Sequence, residues 1–291
     1  YADFQSGYYN LQKSMSLDTI AKKLQQGGTD TPQDPSMEKL TIPEGYTIDQ
    51  IAKMIAKLKK NKLSSDTFLK KVQDDNFITQ EAAKYPKLLE SLAKKESGVK
   101  YRLEGYLFPA TYNVTDSTTA ETLIDQMLAA MDKTMSQYYD VLASKNLTVH
   151  DVLTIASLVE KEGSTDQDRK NIASVFYNRL NQNMPLQSNI AILYAQGKLG
   201  QKTTLAEDAA IDTNIDSPYN VYKNTGLMPG PVDNPSLSAI EATVNPAKTD
   251  YLYFVANTET GNVYFANTYE EHEKNVQEHV NSKLTQSSSS N

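Results

Sequence analysis

Apolar positions recur at helical spacing along most of the chain, and the clearest stripe runs from Thr148 to Gly163. Thr148 has N-cap chemistry, Asp151 stands three residues on as a weaker cousin of the capping-box acid, and Gly163 closes the run. The spacing therefore predicts a helix that begins at Thr148 and stops at Gly163. Val149, Val152, Leu153, Ala156 and Val159 share one face of it. At about 100° per residue Lys161 points away from that face, and Glu160 and Glu162 fall on its opposite flanks. Negative charge in a last turn opposes the helix dipole, so two glutamates there are a mildly unfavourable choice made twice. Burial against apolar neighbours would keep a carboxyl protonated near neutral pH, as a general acid requires. Two solvated surface glutamates remain the other reading, and periodicity does not choose between Glu160 and Glu162.

The same reasoning divides the rest of the chain. Residues 6–28 and 40–58 each read as a short strand, a turn, a Ser or Thr N-cap and a helix carrying Ile-Ala, an imperfect internal repeat joined by the polar linker Gly27 to Ser36. The stretch Ile42 to Ile55 resembles the opening of a LysM module, a sugar-binding unit, although a strand-turn-helix of this kind also arises as plain packing. Helices follow from Ser64 or Ser65 to Val72 and from about Thr79 to Leu92. A charged turn at Lys94 to Gly98 marks the main boundary. Beyond it come an aromatic, Gly- and Pro-broken segment at Leu103 to Tyr112 and a helix from Thr119 to about Leu142. The glutamate helix, a helix at Asp168 to Asn181 and a short one at Ile190 to Gln196 come next. A rigid Gly-Pro turn at Gly226 to Val232 precedes a helix at Pro235 to Val244. A hairpin at Tyr251 to Ala256 and Val263 to Ala266 leads to a closing helix, Tyr269 to Leu284, and a Ser-rich tail. The expected class is α+β: a partial repeat and linker at 1–37, a small LysM-like α/β unit at 38–98, a larger mixed catalytic unit at 99–284, and a disordered tail at 285–291.

Composition narrows the chemistry. At 291 residues the chain can bury a substantial core, and its net charge of −7 leaves no basic stripe for nucleic acid. Cysteine is absent, which removes disulfides, thiolate nucleophiles and cysteine-rich metal sites. No apolar run is long enough to span a bilayer, and the chain opens without an initiator Met, so any membrane anchor is expected upstream. Phosphate-binding, dinucleotide, serine-hydrolase and zinc-protease motifs are all missing, and the three histidines are too scattered to suggest a metal site. No metal or cofactor is expected. Carboxylates beside aromatic and amide-bearing loops remain, a set suited to a polysaccharide. Glu160 and Glu162 make a poor two-carboxylate hydrolase pair, because such pairs face each other across roughly 5–9.5 Å. A single-acid mechanism suits them better. Arg179, on the polar side of its helix, has the chemistry to pair a carboxylate or orient a substrate carbonyl, and equally to form a structural ion pair.

Seven blocks, in order, resemble the YceG-like family of endolytic murein transglycosylases: Glu104-Gly-Tyr-Leu-Phe-Pro-Ala-Thr-Tyr112, Ala156-Ser-Leu-Val-Glu-Lys-Glu162, Val175-Phe-Tyr-Asn-Arg-Leu180, Met184-Pro-Leu-Gln-Ser188, Ser217-Pro-Tyr-Asn-Val-Tyr222, Gly226-Leu-Met-Pro-Gly230 and Asn245 to Val255. The resemblance runs from about Thr41 to Leu284, and details such as Leu186 to Tyr194 look like its streptococcal branch. It implies cleavage of the β-1,4 bond between N-acetylmuramic acid and N-acetylglucosamine within glycan strands, leaving a 1,6-anhydro end. It also implies a single-pass anchor and action at the outer face of the plasma membrane, beside penicillin-binding proteins and other elongation or division proteins. The family's catalytic acid falls on Glu160. Glu162 and Arg179 become supporting residues, and Glu104, Tyr106, Gln187, Ser188, Tyr219, Asn220 and Tyr222 become substrate contacts, with loop stabilisation as the competing role for each. Asn189 departs from the aspartate that many members carry at this place, so a charged role there does not transfer. Two other functions stay open: a muramidase that admits water, and a wall-binding scaffold without catalysis.

Overall fold

The computed structural model describes residues 3–201, 210–257 and 259–280. The fold is mixed α+β, with helices around two small antiparallel sheets. Strand β1 (Glu38–Thr41) pairs with β2 (Thr111–Val114), Glu38 opposite Val114 and Thr41 opposite Thr111. This pairing joins the 38–98 and 99–284 segments in one sheet. One continuous core also runs through both, from Leu40, Ile48 and Ile51 to Leu153, Leu158 and Ile240.

The N-terminal pair of strand-turn-helix units differs in depth. Helix α1 (Leu17–Gln26) is capped by Ser16 as its sequence suggests, yet it buries none of its residues and Leu17 stays 86% exposed. Its expected strand is reduced to one bridge, Tyr8 with Thr29. In the second unit, Thr47 and Gln50 form a reciprocal capping box on α2 (Ile48–Ile55), and Ile48, Ile51, Ala52 and Ile55 are buried. Each of the three isoleucines contributes about 1.5–3 kcal/mol when removed from water, which anchors the turn between β1 and α2.

Helix α3 (Ser65–Lys71) is capped by Ser64. The helix expected over 79–92 starts earlier and is split, with α4 (Asp75–Lys84) capped by Asp74 and α5 beginning afresh at Pro86–Leu89. Pro86 disfavours helical backbone at the residue before it, and Tyr85 adopts φ −120°, ψ 62°. The long helix expected over 119–142 is also two, α6 (Ala120–Met135) and α7 (Tyr139–Ser144). Between them Tyr138 tightens the chain onto Met135 and turns its hydroxyl to Glu241.

Helix α8 (Val149–Glu162) has the predicted Thr148 cap and ends at Gly163, and Val149 and all positions from Val152 to Val159 are buried. It packs between α9 (Asp166–Asn181) and α11 (Leu237–Val244). The short α10 (Asn189–Ala195) packs beside α8. The hairpin of β3 (Tyr253–Ala256) and β4 (Val263–Ala266) follows, and α12 (Tyr269–His279) closes over it. The closing helix ends at His279; residues 281–284 of the helix expected over 269–284, and the Ser-rich tail, lie outside the described residues.

Candidate active site

The polypeptide from Pro229 to Ser236 is a strap laid across the start, middle and end of α8. His150 Nε2 donates to Pro229 O at 2.7 Å, which leaves Nδ1 to accept from the Tyr106 hydroxyl at 2.8 Å. Val232 N–H donates to Ser157 Oγ at 3.0 Å. Asn234 then ties three loops: its Oδ1 accepts from Gly105 N–H and Leu107 N–H, each at 2.9 Å, and its Nδ2 donates to Tyr46 O and Glu104 Oε1. Its backbone carbonyl accepts from Gly45 N–H at 2.9 Å.

At the end of the strap lies Glu160. Ser236 caps α11, accepting from Ala239 N–H, and turns both its N–H, at 2.9 Å, and its hydroxyl toward Glu160 Oε2. The carboxylate thus faces the positive end of a helix. On its other side Arg169 Nη2 stands 3.8 Å from Oε1, and Arg169 is itself held by Ser238 at 3.0 Å. The Glu160 side chain is 7% exposed. It lies beneath the β1–α2 turn, whose Gly45 has φ +70°; a Cβ there would stand 3.0 Å from Glu160 Cγ and 3.0 Å from Lys161 Nζ. Only glycine fits that turn over the glutamate without displacement.

Glu162 projects to the other flank of α8. Burial of its carboxyl pushes its pKa up to about 7, opposed by a 3.4 Å hydrogen bond from Ser188 Oγ. Tyr222, whose hydroxyl donates to Asn189 Oδ1 at 2.6 Å, lies near Glu162 on one hand and Arg179 on the other. Arg179 pairs with no carboxylate among the described residues. It donates to Leu252 O and Pro185 O, contacts Gln187 Oε1 at 3.2 Å, and lies over the Tyr253 ring. Gln187 is exposed, and its φ of 57° is a left-handed conformation that a side-chain-bearing residue adopts at a cost.

The other expected substrate contacts lie deeper. Glu104 is 1% exposed, and its oxygens accept from Ile48 N–H, Asn234 Nδ2 and the Tyr194 hydroxyl. Tyr106 and Asn220 are fully buried, Asn220 bonding Thr213 O and Ile215 O within its own loop. Tyr219 packs on Tyr194 and lines a cleft of about 190 Å3 with Lys100 and Pro218. A larger cleft of about 470 Å3 lies along α2, between Gln50, Lys53, Tyr194 and Leu199. Neither cleft contains Glu160 or Glu162. Ser236, Arg169, Asn234 and the Gly45 turn were missed in the sequence. The N-cap pattern at Ser236 was the one available signal, because the rest depends on contacts between segments far apart in the chain.

A model of the YceG-like family matches residues 1–278. The chain belongs to the YceG-like family. Its YceG-like sequence is 67% identical over 287 residues to an endolytic murein transglycosylase of Streptococcus pneumoniae serotype 2 strain D39, covering 98% of this chain and 52% of that protein. It is 41% identical over 281 residues to the Bacillus subtilis strain 168 endolytic murein transglycosylase, covering 96% and 74%. The chain spans about half the length of the pneumococcal relatives it matches. A 2.6 Å crystal structure of a yceG-like protein from Listeria monocytogenes, 44% identical, superposes with a TM-score of 0.72 over 90% of this chain and 81% of that one.

Burial of Glu104 has a consequence for stability. Its pKa is pushed up to about 8 by burial, which the hydrogen bonds from Ile48 and Tyr194 only partly offset. A carboxyl whose folded pKa lies above its unfolded value of 4.5 binds more protons when folded. Its contribution is therefore fully present below the unfolded value and is lost as pH rises toward about 8. Glu104→Gln, which keeps an acceptor for Ile48, is expected to flatten the fall in melting temperature over that window. Equal slopes in the two proteins would contradict a protonated Glu104.

Proposed function

We propose that this chain carries the catalytic part of an endolytic peptidoglycan lytic transglycosylase with Glu160 as its acid and base. The observation that carries the reading is one buried-edge glutamate set under two donors from Ser236 and beside Arg169, in a chain 67% identical to a protein named an endolytic murein transglycosylase. Protonated Glu160 donates to the glycosidic oxygen and the bond to C1 of N-acetylmuramic acid breaks. The resulting carboxylate takes the proton of the muramic C6 hydroxyl as that oxygen attacks C1. The nucleophile belongs to the substrate, so intramolecular attack needs no second protein carboxylate and gains from proximity. Ser236 and Arg169 hold the carboxylate between the two steps.

On this reading the 38–98 segment is a LysM-like unit whose Gly45 turn completes a site built mainly by the 99–284 segment. Glu162, Arg179, Gln187, Ser188 and Tyr222 support the helix end from the opposite flank. The enzyme works on glycan strands at the outer face of the plasma membrane, tethered upstream of this chain and beside penicillin-binding proteins and other wall-synthesis or division proteins. Digestion of intact sacculi followed by mass spectrometry is expected to release fragments ending in 1,6-anhydro-N-acetylmuramic acid. Reducing muramic ends would instead identify a muramidase, and no release at all would favour a scaffold.

A further inference from the structure

The two clefts that hold neither Glu160 nor Glu162 meet: the one of about 470 Å3 along α2 and the one of about 190 Å3 beside Pro218 share Lys100 and Tyr194. They form one groove. Its floor is apolar, since Tyr46, Met54, Leu69 and Leu199 are half-buried on the core and also line the larger cleft. Its rim is basic. Lys53 and Lys57 are exposed there, and neither takes part in an ion pair among the described residues. Asp49, the one carboxylate among the described lining residues, is already neutralised: Lys100 pairs with one oxygen, and the Tyr101 hydroxyl donates to the other at 2.7 Å. The two free lysines open a run of five, Lys53, Lys57, Lys59, Lys60 and Lys62, with no acidic residue between them, in a chain of net charge −7. Positive charge above an apolar floor fits carboxylates carried on an aliphatic backbone, whereas a neutral sugar gives these ammonium groups no counter-charge.

Position ties this groove to the glutamate. Gly45 lies over Glu160, and Tyr46, the next residue, lines the cleft while its carbonyl accepts from Asn234 N–H at 3.0 Å and Nδ2 at 2.9 Å. One turn therefore has the proposed acid on one side and the end of the groove on the other. From Thr47 to Lys57 the cleft follows the chain for about 15 Å at 1.5 Å per residue, a length that an extended peptide covers in four or five residues.

We propose that the groove is a subsite for the short acidic peptide borne on the lactyl group of N-acetylmuramic acid, with Lys53 and Lys57 pairing its carboxylates, so that peptide-bearing glycan is selected over bare glycan. This rests on peptidoglycan as the substrate proposed above. With the glycan at Glu160, the peptide leaves the sugar beside the β1–α2 turn and runs along α2 over Met54 and Leu69. Lys53 and Lys57 set specificity and touch no atom of the bond that breaks.

The test separates binding from cleavage. N-acetylmuramyl-pentapeptide with free carboxylates contains no glycosidic bond to cut, and titration calorimetry measures its affinity for the whole chain as wild type, Lys53→Glu/Lys57→Glu, Lys53→Arg/Lys57→Arg and Glu160→Gln. The wild type is expected to bind, the Glu pair to bind about tenfold more weakly, and the Arg pair to recover affinity, because two exposed ion pairs give way to repulsion only in the first variant. Both lysines are exposed and the buried Ile48, Ile51 and Ile55 are untouched, so α2 should keep its fold. In cleavage, strands bearing peptides should show a lower KM than strands stripped by an amidase, and the Glu pair should erase that difference. Absence of wild-type binding, or equal affinity in the Glu pair, would overturn the subsite, and with Glu160→Gln inactive on sacculi it would leave the assigned acid standing. Lysine-dependent binding of the pentapeptide by a wild type that cleaves no sacculi would uphold the groove and overturn the enzyme. Stripped strands bound as tightly as peptide-bearing ones would assign the groove to sugar and overturn the peptide.

Discussion

Glu160→Gln is expected to slow cleavage of peptidoglycan by roughly 10²- to 10⁴-fold, the usual contribution of a positioned general acid. The amide oxygen can still accept from Ser236 N–H, and the apolar face of α8 is untouched, so the melting temperature should change little. What disappears is the proton for the leaving oxygen and the carboxylate that recovers one from the attacking hydroxyl. Glu162→Gln is the informative companion, because burial pushes the pKa of that carboxyl up to about 7. It should cost much less, since the Ser236 and Arg169 contacts converge on Glu160 and the Gly45 turn covers that flank of the helix. A loss confined to Glu162→Gln would move the chemistry to the other side of α8.

Gly105→Ala is expected to lower unfolding stability by about 2–5 kcal/mol, read as a fall in the denaturant midpoint. Gly105 has φ +90°, and an added Cβ would stand 2.3 Å from both Cβ and Cγ of Pro231. Left-handed backbone costs a side-chain-bearing residue roughly 1–2 kcal/mol and overpacking typically adds 1–3. Pro231 cannot rotate away, and its strap carries Asn234 and Ser236, so activity should fall along with stability. An unchanged midpoint would contradict the close packing of strap and loop on which the Glu160 site depends.

Helix α8 was legible from its residues alone. Thr148 and Gly163 bound it, the apolar stripe is buried although burial extends all round the helix from Val152 to Val159, and the two glutamates do occupy opposite flanks. The choice between them was not legible in periodicity, because it depends on Ser236, 76 residues further along, and on Arg169, which lies on a polar helix face. The breaks near Tyr85 and Tyr138 were obscured for different reasons. Pro86 is a visible signal, whereas the turn at Tyr138 answers to a distant partner, Glu241. Glu104, Tyr106 and Asn220 illustrate a general ambiguity. Polar and aromatic residues in Gly- and Pro-rich loops suit a sugar, yet loops pressed into a core need buried partners for their own backbone, and the hydrogen bonds of these side chains run to the protein itself.

The central claim is that one protein carboxyl and a hydroxyl of the substrate perform the cleavage. Digestion of sacculi in 18O-enriched water tests it most directly. New muramic ends should form without incorporating the label, each lighter than a hydrolysed end by one water; labelled reducing ends that increase with time would contradict the account.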